Sequence, residues 1–260
     1  MAQVINSNIP SLNAQRQLNR TNTGLAQALE RLSSGKRINN AKDDAAGIAI
    51  ASRFTSQIRG YNQGTRNAAD AISLAQTAEG ALDEISNNLQ RIRELAVQSA
   101  NATNSAADRS ALQTEVAQLT AEITRVTTTE FNGIAVIGGG ATSFNFQVGP
   151  NAASAANAIK VTTTNITTAS GYAAVVTNGT IGTVTGALSM ISNVDTFLGA
   201  VNTQRATLGA VQNRFESTIS NLSNISENLA AARSRILDAD IALETSSMTK
   251  MNILQQAGIS

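Results

Sequence analysis

Apolar and small residues recur at helical spacing toward both ends of the chain, whereas its middle lacks this pattern. The spacing alternates between steps of three and four residues along two segments. The positions are Ala68, Ala71, Ala75, Ala78, Leu82, Ile85, Leu89, Ile92 and Ala96, then Ala187, Met190, Val194, Phe197, Val201, Leu208, Val211, Phe215, Leu222, Ile225, Leu229, Ala232 and Ile236. Such steps average about 3.5 residues, the period of a coiled-coil seam. Because a seam must be covered, the pattern predicts a mainly α fold, an elongated antiparallel helical bundle or coiled coil of N- and C-terminal segments.

Local signals divide these segments into helices. Residues 1–34 are amphipathic, and Gly35 is the residue type that commonly follows a helix end. Further helices are predicted at about 64–99, 105–128 and 187–236, and a final amphipathic piece follows Leu237. The break at 101–105 is short, so the third helix should fold back on the second.

The centre, about 130–186, has the character of a small β-region. Asn132-Gly133 is a strong signal for a tight hairpin turn. Alternating apolar residues at 144–148 and the β-branched stretch at 159–166 predict two further strands. The three glycines at 138–140 indicate a flexible turn, since they lack the Lys-Ser/Thr of a phosphate loop. We expect this region to be exposed at the tip of the bundle.

Composition argues against catalysis and nucleic-acid binding. The net charge is +1 with only 14% charged residues, so no basic field is available for phosphate backbones. The chain has neither His nor Cys, which removes common zinc ligands and the commonest general base. We therefore predict no enzyme activity, no catalytic, metal or cofactor site, and no cofactor.

Membrane insertion is also not predicted. No run of 18 apolar residues occurs, and the N-terminus lacks the basic and apolar regions of a secretory signal. The protein is expected either to stay in the cytoplasm or to leave by a route without a cleaved leader.

Short motifs in a fixed order connect the chain to a known family. They include AQVIN at 2–6, LERLSSG at 29–35, KDDAAG at 42–47, QRIRELAVQ at 90–98, FNG at 131–133, FNFQVG at 144–149, DAD at 238–240 and ILQQAG at 253–258. With these motifs the chain resembles bacterial flagellin over roughly residues 1–150 and 187–260.

The resemblance implies a subunit that self-assembles into the extracellular flagellar filament for motility and is exported unfolded by the flagellar type III system. It implies inner-tube helices at 1–45 and 237–260 and a rod domain at 46–236, without large outer domains. Other flagellin subunits, an export chaperone at the C-terminal helix, and flagellar cap or junction proteins are the implied partners. Family members continue beyond Ser260, so we expect this chain to remain soluble rather than form long filaments alone.

One candidate interaction site lies on the second helix. Arg91 and Leu95 are four residues apart and share a helix face, and Leu95 lies off the Ile92 and Ala96 seam, so we expect it to be exposed. An ordinary surface leucine beside a solvated arginine is the plain alternative. By resemblance, this surface together with Glu115 forms a subunit contact and a site recognised by a host Toll-like receptor.

Other functions are less well supported by the residues. Asp43-Asp44 and the pair Asp238 and Asp240 are predicted to cap helices or to lie on solvated faces rather than to bind a cation. A flagellin-like adhesin or polysaccharide-binding module is the alternative function, although few aromatics are present for sugar stacking. Some flagellins carry a zinc peptidase insert, but its His-Glu-x-x-His motif is impossible here because the chain contains no His.

The two ends of the chain are also expected to be weakly packed. This predicts that residues 1–40 and 237–260 are mobile in an isolated monomer.

Overall fold

Five α-helices account for most of the described chain. The computed structural model describes residues 8–139, 143–152 and 156–259. The helices are α1 (Ile9–Ser34), α2 (Ala45–Ala100), α3 (Ala106–Thr127), α4 (Val184–Leu237) and α5 (Ile241–Ile259). The prediction of a mainly helical fold is confirmed. The motif at 2–6, Gly140 and Ser260 lie outside the described residues.

Contacts divide the chain into two compact units. The terminal unit comprises residues 1–59 and 224–260, and the central unit comprises residues 60–223. The predicted division into residues 1–45 with 237–260 and residues 46–236 remains a prediction about the assembled protein.

In the central unit, α2 and α4 run antiparallel. Arg93 pairs with Asp195 at 2.8 Å and Arg205 pairs with Asp83 at 3.0 Å, so numbers fall along one helix as they rise along the other. Between these ion pairs the predicted seams meet. The seam residues Leu82, Ile85, Leu89, Ile92, Val194, Phe197, Val201 and Leu208 are fully buried. The two periodic segments therefore cover each other, as the pattern predicts.

Helix α3 folds back on α2, and backbone groups at both of its ends have hydrogen-bond partners. Ser105 and Asp108 form a capping box at its start, in which each side chain receives a hydrogen bond from the other residue's backbone. Arg109 is 8% exposed; it donates from Nε to the Ser99 carbonyl and from Nη2 to the Asn101 carbonyl. One buried guanidinium thus holds the end of α2 against the start of α3.

Two hairpins lie between α3 and α4. The first pairs β1 (Glu130–Phe131) with β2 (Ile134–Ala135). Asn132 and Gly133 have φ values of 52° and 74°, which is the geometry of a type I′ turn. The hairpin predicted from Asn-Gly is confirmed.

The second hairpin packs along the helices of the central unit. It pairs β3 (Ser143–Gln147) with β4 (Ala158–Thr162) in antiparallel register. Phe146 meets Phe215 edge-on at 5.6 Å, and Val161 is 1% exposed. The expectation that this β-region is exposed is therefore wrong for β3–β4. The alternating apolar face found by sequence needs a helix surface to cover it.

Gly64 explains why the hairpin approaches α2 so closely. A Cβ at this position would lie 2.1 Å from the Val148 carbonyl oxygen. Only a residue without a side chain permits that contact. The glycine sits inside a long helix, where it costs stability, so its place is set by tertiary packing.

Several predicted boundaries needed correction. Helix α2 begins at Ala45, not near 64, and is continuous for 56 residues. The strand predicted at 159–166 is β4 and ends at Thr162, and Ile166, the last residue of that prediction, begins a 3-10 turn, Ile166–Thr168. A short π-helical segment follows at Ala173–Thr177. Small residues such as Ala45 and Ala46 carry weak periodic signals, so the helix start predicted at Asp43-Asp44 was not joined to the seam that begins near 64.

Candidate interaction surfaces

Helices α1 and α5 of the terminal unit expose most of their large apolar side chains. Within the described residues, α1 buries only Thr21 and Ala28, and α5 buries only Glu244. The exposed apolar residues of this unit are Ile9, Leu12, Leu29, Ile241, Leu243, Ile253, Leu254 and Ile259, with exposed fractions from 43% to 70%. Eight large apolar side chains left in water on two helices define a surface suited to protein association.

The two helices nevertheless contact each other at defined points. Arg31 donates from Nη1 to Glu244 Oε1 at 3.0 Å, and Gln255 Nε2 donates to Asn22 Oδ1 at 3.0 Å. Glu244 is 7% exposed, so its charge is compensated by Arg31 rather than by water. This pair was not predicted from the sequence. Its one signal is that Glu244 is the only acidic residue of α5.

Arg91 and Glu115 form an exposed ion pair between α2 and α3. Arg91 donates from Nε to Glu115 Oε1 at 2.9 Å and contacts Glu94 at 3.0 Å. The hydrogen bond to Glu115, then that to Glu94, raises the pKa of Arg91 above its usual value. The surface therefore presents a fixed, ordered guanidinium with half of its side chain in water.

The expected exposure of Leu95 is wrong. Leu95 is 1% exposed and belongs to the core of the central unit, together with Val116 and the half-buried Leu112 of α3. Helix α2 packs against α3 as well as α4, so it carries two buried stripes rather than one. The three predicted site residues thus separate into an exposed pair, Arg91 with Glu115, and a buried residue beneath them.

Asp44 and Asp240 cap helices, as predicted, whereas Asp43 and Asp238 lie exposed and accept hydrogen bonds from groups outside a helix start. Asp43 Oδ2 accepts the backbone N–H groups of Asn39 and Asn40, and Asp44 Oδ1 accepts that of Gly47. The bond from Asn40, then that from Asn39, lowers the pKa of Asp43. Asp240 Oδ1 accepts two backbone N–H groups at the start of α5, and Asp238 Oδ2 accepts the Ser234 hydroxyl.

No metal site is indicated in the part of the chain that the structure describes. Within those residues there is no group of three or more potential His, Cys, Asp or Glu ligands.

One helix meets the length and composition expected of a membrane span. A window of α4 has a mean hydropathy of 1.2. However, the apolar seam of α4, which includes Phe197 and Val201, is buried in the central unit. Core helices of soluble proteins meet the same criterion, so one such helix among the described residues is weak evidence for a membrane span.

Helices α2 and α4 bury a shared seam, whereas α1 and α5 leave apolar side chains exposed, and this arrangement is typical of a structural protein that assembles with partners. Residues 5–142 match the sequence model of the bacterial flagellin N-terminal helical region, and residues 191–260 match that of the bacterial flagellin C-terminal helical region. The chain belongs to the bacterial flagellin family.

Individual relatives agree with this assignment. A flagellin of Halalkalibacterium halodurans is 46% identical over 255 residues, covering 98% of this chain and 92% of the relative. A flagellin of Xenorhabdus nematophila is 45% identical over 296 residues, covering 100% of this chain and 95% of the relative. The crystal structure of Bacillus cereus flagellin superimposes with a TM-score of 0.52 at 31% identity, covering 65% of this chain and 94% of that one.

The function follows from the family. The protein is a structural subunit of the flagellar filament, it is extracellular, it polymerises with other flagellin subunits, and it is not an enzyme.

Proposed function

We propose that α1 and α5 form the inner tube of the filament with the same helices of neighbouring subunits, while residues 46–236 form its rod domain. The supporting observation is the set of eight large apolar side chains that α1 and α5 leave exposed. Fully covering a leucine-sized side chain contributes about 1.5–3 kcal/mol, so burial of several of these side chains against neighbours would offset part of the cost of association.

The test is a double substitution on α5, Ile253→Ser with Leu254→Ser. Both side chains are exposed in the isolated chain, so helix content and thermal unfolding should stay unchanged. Salt-induced addition to filament seeds, measured by pelleting, should require at least about tenfold more protein, because each lost apolar contact weakens every interface.

Ala242→Ser is the matched control, since it adds the same hydroxyl at an exposed position of α5 while removing little apolar area. Addition to seeds by the double variant at the parent's concentration would contradict the inner-tube assignment.

We further propose that residues 1–40 and 237–260 are mobile in the free monomer and become ordered on assembly. Their sparse burial supports this, since little apolar area offsets the entropy of ordering them. Hydrogen exchange should be fast there in dilute monomer and slow in filaments. Slow exchange in both states would refute coupled ordering.

The surface carrying Arg91 and Glu115 is proposed as a subunit contact and as a site for a host Toll-like receptor, with Leu95 contributing from beneath. The ordered and exposed ion pair supports it. Arg91→Ala with Glu115→Ala should abolish receptor activation while leaving the fold intact. Arg93→Ala is the control, because Arg93 is also exposed on α2 but pairs with Asp195 of α4. Full activation by the double variant would exclude the site.

Export in an unfolded state by the flagellar type III system, with a chaperone on the C-terminal helix and later contacts to cap or junction proteins, is proposed from the family. The largely exposed α5 supports a chaperone site there. A flagellin export chaperone expressed with this protein should co-purify with it, and deletion of residues 241–259 should abolish co-purification. Retention after the deletion would place the chaperone elsewhere.

A further inference from the structure

Helices α1 and α5 contact each other through glycines as well as through polar groups. A Cβ at Gly24 of α1 would lie 3.1 Å from Cε and 3.5 Å from Sδ of Met251 in α5. Gly258 of α5 lies opposite Leu18 of α1, whose Cδ1 would be 3.6 Å from an added Cβ. Each helix thus supplies one glycine that makes room for a large apolar side chain of its partner. We name the contact between Met251 and Gly24 the methionine seat.

In the methionine seat, the thioether of Met251 lies on the backbone of α1. The Arg31–Glu244 ion pair and the Asn22–Gln255 hydrogen bond lie on either side of it along the two helices. Backbone N–H groups in a helix interior already donate to carbonyls within the helix. The seat therefore suits an apolar, polarisable group such as a thioether, and the backbone beneath it offers no free donor.

The other described methionines have different surroundings. Met190 is 1% exposed in the core of the central unit, so its sulfur is shielded from solvent. Met248 and Met251 are both half-buried on α5. Because we propose that residues 237–260 are mobile in the free monomer, both of these thioethers are open to solvent there. Ordering of α1 against α5 during assembly then covers Met251.

We propose that Met251 is a site of reversible oxidation that is open in the free subunit and closed in the filament, and that its sulfoxide keeps the subunit from joining the filament. This inference rests on the proposed inner tube and on the ordering of both ends during assembly. It needs no pairing of the two helices in the monomer.

The oxidant is a peroxide. The sulfur attacks one peroxide oxygen, the O–O bond breaks, the proton of the transferred oxygen passes to the departing hydroxide, and water leaves. The thioether is oxidised to a sulfoxide and the peroxide is reduced to water. Methionine sulfoxide reductases reverse the change.

A sulfoxide does not suit the methionine seat. Oxidation turns a flexible apolar thioether into a polar group with a strong hydrogen-bond acceptor. Burying that oxygen against the backbone of Gly24 leaves it without a donor, which carries a free-energy cost. Oxidised subunits should therefore require about fivefold or more protein for addition to filament seeds.

The first measurement compares dilute monomer with filaments grown on seeds, each treated briefly with hydrogen peroxide. Peptide mass spectrometry reports the sulfoxide fraction at each methionine. Oxidation of Met251 should be about tenfold or more faster in monomer than in filaments, because assembly covers its sulfur. Met190 should resist oxidation in both states. Equal rates at Met251 in monomer and filament would overturn the proposal.

The second measurement is the addition of peroxide-treated monomer to seeds, followed by pelleting. Met251→Leu keeps a similar apolar volume and cannot form a sulfoxide, so treated and untreated samples of this variant should add equally. Met248→Leu is the matched control, because it removes the other half-buried thioether of α5 and leaves the methionine seat intact. Its addition should fall after peroxide as that of the parent does. Methionine sulfoxide reductases should restore addition by the oxidised parent.

The outcomes separate this proposal from the inner-tube proposal. Normal addition by parent protein that is fully oxidised at Met251 would overturn the role of this residue. A peroxide-induced loss in Met251→Leu as large as that in the parent, or no recovery with the reductases, would do the same. Failure of the untreated parent to add to seeds would instead refute the inner-tube proposal and this inference with it.

Discussion

The central and terminal units are built from the same long helices, yet they bury very different side chains. The central unit fully encloses large residues such as Phe197, Phe215 and Ile123. The terminal helices α1 and α5 bury only Thr21, Ala28 and Glu244 among the described residues. The central unit therefore has a core of its own, whereas α1 and α5 keep eight of their large apolar side chains exposed.

This difference shows how one helical sequence pattern can serve two purposes. In the central unit, apolar stripes are covered by the chain itself, so its stability is a property of the monomer. In the terminal unit, apolar side chains of α1 and α5 stay exposed, and the proposed inner tube would cover them with other subunits, so part of the unit's stability would become available only in the filament. Three matched pairs of substitutions and one titration test this division.

The largest effect is expected from truncating a core aromatic. Phe197 is 0% exposed and meets Tyr172 edge-on at 5.6 Å, so Phe197→Ala should lower the free energy of unfolding by about 3–5 kcal/mol. The counterpart Leu243→Ala, at a position 67% exposed, should change it by less than about 0.5 kcal/mol. Denaturant unfolding followed by circular dichroism measures both. Equal losses of unfolding free energy in the two variants would contradict the distinction between the units.

Two arginines that bridge helices provide the second pair. Arg109→Leu removes both hydrogen bonds from the buried guanidinium and leaves the Ser99 carbonyl unpaired, which should cost about 2 kcal/mol. Arg31→Leu breaks the contact with Glu244 in the terminal unit and should leave the main unfolding midpoint unchanged. It should instead speed hydrogen exchange in α5 of assembled filaments, where that helix is expected to be ordered. A shift of the main midpoint by Arg31→Leu would show that the terminal unit unfolds together with the core.

Helix caps provide the third pair. Ser105→Ala removes the capping box of α3 and should cost about 1 kcal/mol. Asn8→Ala removes the side-chain acceptor for Ser11 at the start of α1 and should not affect the main transition. Thermal unfolding of the two variants side by side gives the comparison. A loss in Asn8→Ala as large as that in Ser105→Ala would contradict it.

The smallest expected effect is the dependence of the fold's stability on acidic pH. The Ser105 hydroxyl, then its backbone N–H, lowers the pKa of Asp108 below the usual 3.8. This carboxylate thus stabilises the fold at pH values above 3.8, and its contribution is lost as the pH falls through its lowered pKa. In Ser105→Ala the pKa of Asp108 should return toward 3.8, as an NMR titration would show. An unchanged pKa would mean that Ser105 is not its cause.

Sequence reasoning succeeded where the signal was local. The Asn132-Gly133 turn, the helix end at Gly35 and the cap at Asp240 depend on residues next to each other in the chain, and each was predicted. It failed where neighbours come from elsewhere. Leu95 looked exposed because a single seam was assumed, and α3 supplies the second partner that buries it.

The candidate surfaces follow the same rule. Arg91 and Glu115 were predicted together from the family resemblance, and the structure joins them at 2.8 Å. The α1 partners of Met251 and Glu244 were missed, because they lie at the opposite end of the chain. Only the fold brings such residues into contact.

The amino-acid sequence by itself determined the helical class, the position of the β-region, the lack of catalytic chemistry and the family. These depend on periodicity, turn residues and residue types, which are properties of short segments. The tertiary structure decided which apolar stripes are covered, why Gly64 must lack a side chain, and how Met251 meets Gly24. Those outcomes depend on contacts between distant segments, whose free energies no single segment contains.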